Sequence, residues 1–157
     1  MPRQHEGSRP QQLTPNDPSP LHAKPGEAGR ALILVVERDP SIRDLEAYFL
    51  NEAGFGVEFA EDGVKALERA KVLCPDIVIT EVLVPKLDGL ALCRTIKTDA
   101  TLRHTVVLIF SILAVASRAR EAGADACLMK PLAERHLVDT VRQLLQLRKT
   151  SEKTETA

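Results

Sequence analysis

The sequence predicts an α/β fold in which a parallel sheet is covered by helices on both faces. Continuous apolar runs such as "ALILVV" are typical of strands that are buried on both faces. Segments with apolar residues at helical spacing alternate with these runs, and parallel strands need such crossover connections. A chain of 157 residues suits one domain with a hydrophobic core.

The first strand is predicted in residues 31–37, and the first helix follows it directly. Asp39 is a residue type that caps helices, and Pro40 fits the first helical position. Four apolar residues then recur at helical spacing before Gly54 and predict the buried face of this helix: Ile42, Leu45, Tyr48 and Phe49.

The second and third units repeat this alternation. Residues 55–60, "FGVEFA", alternate as a short strand, and residues 61–74 follow as a helix. This helix carries three apolar residues on roughly one side: Val64, Leu67 and Leu73. Residues 76–81, "DIVITE", predict another buried strand, which a turn joins to a helix over residues 90–99.

The last two units complete a five-stranded sheet. A strand is predicted in residues 105–111, a short helix in residues 114–123, and a fifth strand in residues 126–130. The closing helix carries an apolar stripe: Leu137, Val138, Val141, Leu144 and Leu145.

Two polar segments flank the predicted domain, which covers residues 30–149. Residues 1–29 contain six of the ten prolines and almost no large apolar side chains, so we expect a disordered arm. Residues 150–157 are predicted to be a flexible tail for the same reason.

Composition excludes several classes of function. The net charge of −1 gives no basic footprint, so we expect no nucleic-acid or membrane partner. No signal peptide or membrane-spanning run is present, which predicts a cytoplasmic location. Cys74, Cys93 and Cys127 are scattered, so we expect buried reduced thiols rather than a zinc site or a disulfide framework.

Polar and charged side chains lie at the carboxyl ends of four of the predicted strands. Because the carboxyl ends of parallel strands meet at one edge of a sheet, these side chains should converge there. Strand one ends in Glu37, Arg38 and Asp39, strand three in Glu81, strand four in Ser111, and strand five in Lys130, which Pro131 follows.

This arrangement resembles the receiver domain of bacterial two-component response regulators, the CheY-like family, in an atypical pseudo-receiver form. The resemblance covers residues 31–147 and is carried by "ILVVERDP", "PDIVITEVLVPKLDGLALC", "FS" and "GADACLMKP". It implies a flavodoxin-like, three-layer α/β/α fold whose five-stranded parallel sheet has the order 2-1-3-4-5.

The resemblance also implies a phosphoryl-transfer site at this edge. In the family, an aspartate after strand three accepts a phosphoryl group from a histidine kinase and holds magnesium together with an acidic pair. The resemblance places Glu81 at the degenerate phosphoacceptor position. It places Glu37, Arg38 and Asp39 in a degenerate acidic pocket.

The remaining positions of the family follow from the same resemblance. Ser111 is the switch hydroxyl, Lys130 is the phosphate-contacting lysine, and Pro131 is a cis-proline candidate. Cys127 stands at the position of the switch aromatic. The segment from Ser111 to Gly123 is about three residues shorter than expected, which removes most of a helical turn.

Two departures weaken the phosphoryl-transfer chemistry. Glu81 carries its carboxylate one methylene further out, about 1.5 Å, and a misplacement of about 1 Å can cost roughly a hundredfold in rate. Arg38 replaces a carboxylate ligand by a permanent cation, which should weaken a magnesium site severely. We therefore expect no metal or other cofactor, with Glu37 and Glu81 as the ligands if magnesium binds.

Two placements of Arg38 remain open at this point. In one, its guanidinium bridges Glu37 and Glu81, while Lys130 and Ser111 engage the far oxygen of Glu81. In the other, Arg38 extends into solvent.

The sequence thus favours a stand-alone receiver-like domain that acts as a phosphorylation-independent protein-interaction module and is no enzyme. Expected partners are signalling proteins, either a histidine kinase or a downstream effector, with a second copy of the chain as a further candidate. The alternative is an orthodox phosphoacceptor that uses Glu81, Asp76 or Asp88. A flavodoxin-like cofactor binder is disfavoured because "ERDPS" replaces a glycine-rich phosphate loop.

Overall fold

Five strands alternate with five helices in the computed structural model, which describes residues 29–131 and 133–155, with side chains up to residue 151. The strands are β1 (Leu32–Val36), β2 (Gly56–Ala60), β3 (Ile77–Thr80), β4 (Val106–Ser111) and β5 (Ala126–Met129). The helices are α1 (Pro40–Glu52), α2 (Gly63–Leu73), α3 (Gly89–Thr98), α4 (Ala116–Glu121) and α5 (Glu134–Glu155).

The strands form one parallel sheet of order β2-β1-β3-β4-β5, which confirms the predicted flavodoxin-like fold class. Val36 pairs with Ala60 on one side and with Thr80 on the other, so the first three strands end at the same level. Alternate residues of the strands enter two apolar clusters, one on each face of the sheet. The residues that follow each strand are thereby gathered at one edge.

Three aspartates begin the first three helices. Asp39 accepts from the N–H of Ser41 at 2.9 Å, Asp62 from Lys65 at 2.8 Å, and Asp88 from Leu90 at 2.9 Å. These side chains satisfy N–H groups that have no partner inside the helix. The cap predicted at Asp39, followed by a proline, is therefore present.

The predicted buried face of α1 is wrong for two residues. Leu45 is 53% exposed and Tyr48 is 59% exposed, whereas Ala47 and Leu50 are buried. The helix is rotated so that Glu46, also buried, faces the charged edge of the sheet. The large apolar residues therefore predicted the wrong buried face of α1. The face that is buried includes an acidic residue, Glu46.

The face of α2 was predicted with the same error. Val64 is exposed, and the helix packs through Ala66 and Ala70, which are fully buried. Its first residue, Gly63, lies so close to the neighbouring loop that a Cβ would be 1.8 Å from the carbonyl oxygen of Leu87. Close approach of this helix therefore selects small residues rather than large ones.

Both chain ends bear on the predicted boundaries. The arm predicted in residues 1–29 lies outside the described residues, apart from an exposed Gly29. Within the predicted flexible tail, residues 150–155 continue α5 up to Glu155, because extending an existing helix adds one backbone bond per residue fixed. Within the described part of the chain, no helix is long and apolar enough to cross a membrane.

The cysteines differ in burial, which corrects the expectation of three buried thiols. Cys93 is buried and Cys127 is half-buried, but Cys74 is exposed. Cys74 ends α2 with a positive φ of 46°, a turn position that lies on the surface.

Candidate functional site

Glu81 follows β3 directly and is 6% exposed. Its N–H donates to the carbonyl of Val36 at 3.1 Å, which ties it to the end of β1. The next loop lies close by, since the N–H of Gly89 donates to the carbonyl of Val82 at 2.9 Å. A Cβ at Gly89 would be 2.2 Å from the carbonyl oxygen of Glu81. Only glycine fits this position, and the backbone around Glu81 is fixed as a result.

Both carboxylate oxygens of Glu81 accept hydrogen bonds. Oε1 accepts from the N–H of Val82 at 2.7 Å and from the hydroxyl of Ser111. Oε2 accepts from the N–H of Ile112 at 3.2 Å and lies 3.3 Å from Nζ of Lys130. These four donors hold the carboxylate in one orientation.

The ammonium group of Lys130 lies at the centre of the site. Its Nζ is 2.6 Å from Oε2 of Glu37, 3.3 Å from Oε2 of Glu81, and 5.2 Å from the centre of the Phe110 ring. The three charged side chains are at most 9% exposed. One buried cation therefore joins the carboxylates that follow β1 and β3, where little water weakens the attraction.

The pKa values of Glu81 and Lys130 both favour the charged forms. Burial alone would raise the pKa of Glu81. Hydrogen bonds from the Ser111 hydroxyl and the Val82 N–H outweigh burial, and Lys130 adds to them, so this pKa lies below its usual range. Burial also opposes the charge of Lys130, but a hydrogen bond to Glu37 and the charges of the surrounding carboxylates raise its pKa.

A third carboxylate, Glu46, belongs to the site and was not predicted. It lies on α1, four residues before the fully buried Leu50, and its Oε1 is 3.8 Å from Nζ of Lys130. Burial raises the pKa of Glu46 to about 7, with Lys130 lowering it and the two other carboxylates raising it. The sequence does place Glu46 at helical spacing from the core residue Leu50, but a face assigned only from large apolar residues does not include it.

Arg38 and Asp39 lie outside this pocket. Arg38 is exposed and forms no ion pair with any residue that the structure describes. The placement in which Arg38 bridges two carboxylates is therefore wrong, because Lys130 makes that bridge. Glu37 is buried, whereas the neighbouring side chain of Arg38 is exposed to solvent. Asp39 uses its carboxylate to cap α1.

The side chains present do not fit magnesium. This ion requires near-octahedral oxygen ligands at about 2.0–2.1 Å. Among residues 29–131 and 133–155, no group of three or more acidic, histidine or cysteine side chains is placed to hold a metal. The ammonium of Lys130 already lies between Glu37 and Glu81, the two ligands expected if magnesium binds.

The other predicted positions are also located. Ser111 is fully buried, and its Oγ accepts from the N–H of Leu113 at 3.0 Å in addition to its bond to the acceptor carboxylate. The peptide bond before Pro131 is cis, as the resemblance implies. Cys127 lines a cavity of about 320 Å³ with Val115 and Met129, and burial raises the pKa of its thiol.

The two other acids weighed as phosphoacceptors are engaged elsewhere. Asp76 accepts from the N–H of Leu32 at 2.8 Å, at the start of β1, and therefore at the opposite edge of the sheet. Asp88 accepts from the N–H groups of Leu90 and Ala91 at 2.9 Å and caps α3. Neither position can replace Glu81.

Known proteins resemble this chain in both sequence and fold. A family model described as "Response regulator receiver domain" matches residues 33–142. The response regulator MprA of Mycobacterium sp. (strain KMS) is 38% identical over 73% of this chain and 50% of its own. A crystal structure of the signal receiver domain of a signal transduction histidine kinase from Syntrophus aciditrophicus is 34% identical, with a TM-score of 0.70, over 74% of this chain and 90% of that one.

A further relative bears on the expected partners. The DNA-binding dual master transcriptional regulator RpaA of Synechocystis is 32% identical over 73% of this chain and 48% of its own length. The expectation that nucleic acid is no partner therefore gains no support. This chain spans about half the length of the curated relatives named here.

Proposed function

Because the chain belongs to the response regulator receiver domain family of two-component signalling, we propose that it is a receiver that acts without phosphorylation, through contacts with other signalling proteins. The saturated carboxylate of Glu81 is the observation that carries this proposal. One of its oxygens accepts from the Ser111 hydroxyl and the other lies beside the Lys130 ammonium. The family resemblance implies that these two groups contact the phosphoryl oxygens in a phosphorylated receiver.

Nucleophilic attack by Glu81 is opposed by its surroundings. An attacking carboxylate oxygen needs a free lone pair in line with the phosphorus, and phosphoryl transfer depends on positioning and charge neutralisation. Here both oxygens accept hydrogen bonds, and a lowered pKa makes the carboxylate a weaker nucleophile. The ammonium of Lys130 lies between Glu37 and Glu81, so a metal ion would have to displace it before it could contact a phosphoryl donor there.

The same contacts support an output state that does not depend on phosphorylation. In a receiver that switches, the strand-four hydroxyl and the lysine bind the phosphoryl group only after transfer. Here Glu81 engages both without any transfer, and Ile112, just past β4, donates its N–H to the same carboxylate. The loop from β4 to α4 is thereby tied to Glu81 without phosphorylation, so a phosphoryl donor is not needed to set the shape of this surface that partners meet.

An amide NMR titration tests the proposal. The full chain is titrated with magnesium and then with beryllofluoride, which mimics an acyl phosphate. We expect a well-dispersed spectrum in which the amides of Glu37, Glu81, Ser111 and Lys130 do not shift. Clustered shifts at these four residues would overturn the proposal in favour of a phosphorylatable response regulator.

The matched control is the double variant Arg38→Asp with Glu81→Asp. It shortens the acceptor side chain and returns a carboxylate beside Glu37, so we expect magnesium to shift the same amides. Its response would show that the assay detects a working pocket in this fold.

A further inference from the structure

Three buried carboxylates share one ammonium group in the pocket. Glu37, Glu81 and Glu46 lie 2.6, 3.3 and 3.8 Å from Nζ of Lys130. If all three were ionised, the cluster would hold two uncompensated negative charges. Buried charge without a partner is costly and is commonly relieved by binding a proton.

The hydrogen bonds distinguish the three carboxylates. Glu81 is held by four donors, and Glu37 accepts from Lys130 at 2.6 Å and from the N–H of Asp39 at 3.1 Å. Glu46 is 3.8 Å from Lys130, beyond hydrogen-bond distance, and accepts no side-chain or backbone hydrogen bond from the described residues. The carboxylate with the least stabilised charge is therefore Glu46.

The charged groups on neighbouring elements leave this assignment unchanged. Glu37 after β1, Glu81 after β3 and Lys130 after β5 are the groups that act on Glu46. On β2, Glu58 pairs with Arg69 of α2 at 2.6 Å. From α5, the guanidinium of Arg142 donates to the carbonyl of Ala53 at the far end of α1, at 3.4 Å.

The remaining charges of α1 itself are also directed elsewhere. Arg43 lies over the ring of Phe59 at 5.5 Å, and Asp44 is exposed. Arg38 faces solvent. No second cation among the described residues therefore compensates Glu46.

We propose that Glu46 is the proton-binding site of the pocket: when protonated it leaves Lys130 to Glu37 and Glu81, and when ionised it draws Lys130 away from Glu81. This inference rests on the metal-free pocket proposed above. Because burial raises the pKa of Glu46 to about 7, the change falls near neutral pH. Glu81 also binds Ile112, so the proton on α1 controls the loop that follows β4.

A carbon NMR titration of the unmodified full chain tests this directly. Side-chain carboxyl signals are followed against pH in the presence of EDTA, together with the amide of Ile112. We expect the Glu46 carboxyl carbon to titrate near pH 7, and the Ile112 amide to shift with the same midpoint. A Glu46 midpoint between about pH 4 and 5, the range of ordinary carboxyls, would overturn the proposal.

Two variants test whether the titration of Glu46 causes the shift of the Ile112 amide. Glu46→Gln keeps the shape of the side chain and should abolish the Ile112 transition, whereas Glu52→Gln, at the exposed end of the same helix, should preserve it. An Ile112 transition that persists in Glu46→Gln would contradict the coupling. If that variant does not fold, the carboxyl titration of the natural chain still decides the proton site.

Added magnesium distinguishes the failure of this inference from the failure of the proposed function. Magnesium-induced shifts at Glu37 and Glu81 would overturn the metal-free pocket, whatever the Glu46 midpoint in EDTA. An ordinary Glu46 midpoint in EDTA, with no response to magnesium, would overturn the proton site alone.

Discussion

Ion pairs between acidic and basic side chains lie at both edges of the sheet, but the ratio of acids to bases differs between the edges. At the amino edge, Asp76 pairs with Arg148 at 3.2 Å and Asp125 pairs with Lys97 at 2.7 Å. Each of these carboxylates also accepts a backbone N–H, from Leu32 or from Val107, at 2.8 Å. Each acid there has a cation of its own.

At the carboxyl edge, three acids share Lys130. The four charged side chains there are at most 9% exposed, whereas those of the amino-edge pairs are 20–37% exposed. Balanced pairs near solvent contribute modestly to stability and respond little to their surroundings. An unbalanced buried cluster is sensitive to one proton or one lost cation. The edge with the unmatched charge is therefore the one whose charge balance a single proton can change.

Removing the shared cation should have the largest effect. Lys130→Met leaves three buried carboxylates without a neighbouring cation, so we expect a loss of about 3–5 kcal/mol in the free energy of unfolding at pH 8. The matched change at the amino edge, Lys97→Met, should lose about 1 kcal/mol because Asp125 can turn to water. Urea denaturation measures both, and equal losses would remove the distinction between the edges.

The proton on Glu46 should produce the next largest effect. The pKa of Glu46 is raised in the folded chain, so binding of a proton by Glu46 stabilises the folded state. This contribution to the free energy of unfolding is complete below the ordinary pKa of 4.5 and is lost as pH rises through about 7. Relative to Glu46→Gln, the natural chain should lose about 3 kcal/mol over this range. Urea denaturation at a series of pH values checks this, and parallel curves for the two proteins would refute it.

The smallest effect is expected at Arg38. Its side chain is exposed and forms no ion pair with the described residues, so Arg38→Ala should change stability by less than about 0.5 kcal/mol. The amides of Glu81 and Ile112 should keep their positions in the NMR spectrum. Movement of these signals would place the guanidinium inside the pocket after all.

Much of this arrangement was predictable from the sequence. The switch between buried runs and helical spacing predicted five β/α units, and the resemblance carried by four short segments predicted the strand order. The meeting of side chains from the strand ends was predictable because parallel strands end at a common edge, although Arg38 and Asp39, which were included in that prediction, lie outside the pocket. Glu37, Glu81, Ser111 and Lys130 meet there.

The errors in the predicted faces of α1 and α2 and the omission of Glu46 have a common physical cause. The faces of α1 and α2 were assigned from large apolar residues, but the helices pack through Ala47, Ala66 and Ala70. Glu46 was not predicted for the same reason, because an acidic residue is rarely buried unless it has a charged partner elsewhere in the sequence. That partner, Lys130, is 84 positions away, and only the fold brings the two together.

Phosphorylation by a small donor distinguishes a receiver that acts without phosphorylation from a phosphoacceptor. The natural chain and the double variant Arg38→Asp with Glu81→Asp are incubated with magnesium and acetyl phosphate, and the intact masses are measured. We expect the natural chain to remain unmodified and the double variant to gain one phosphoryl group. A phosphoryl group on Glu81 of the natural chain would contradict the account, because the donors now bound to that carboxylate would have to release it.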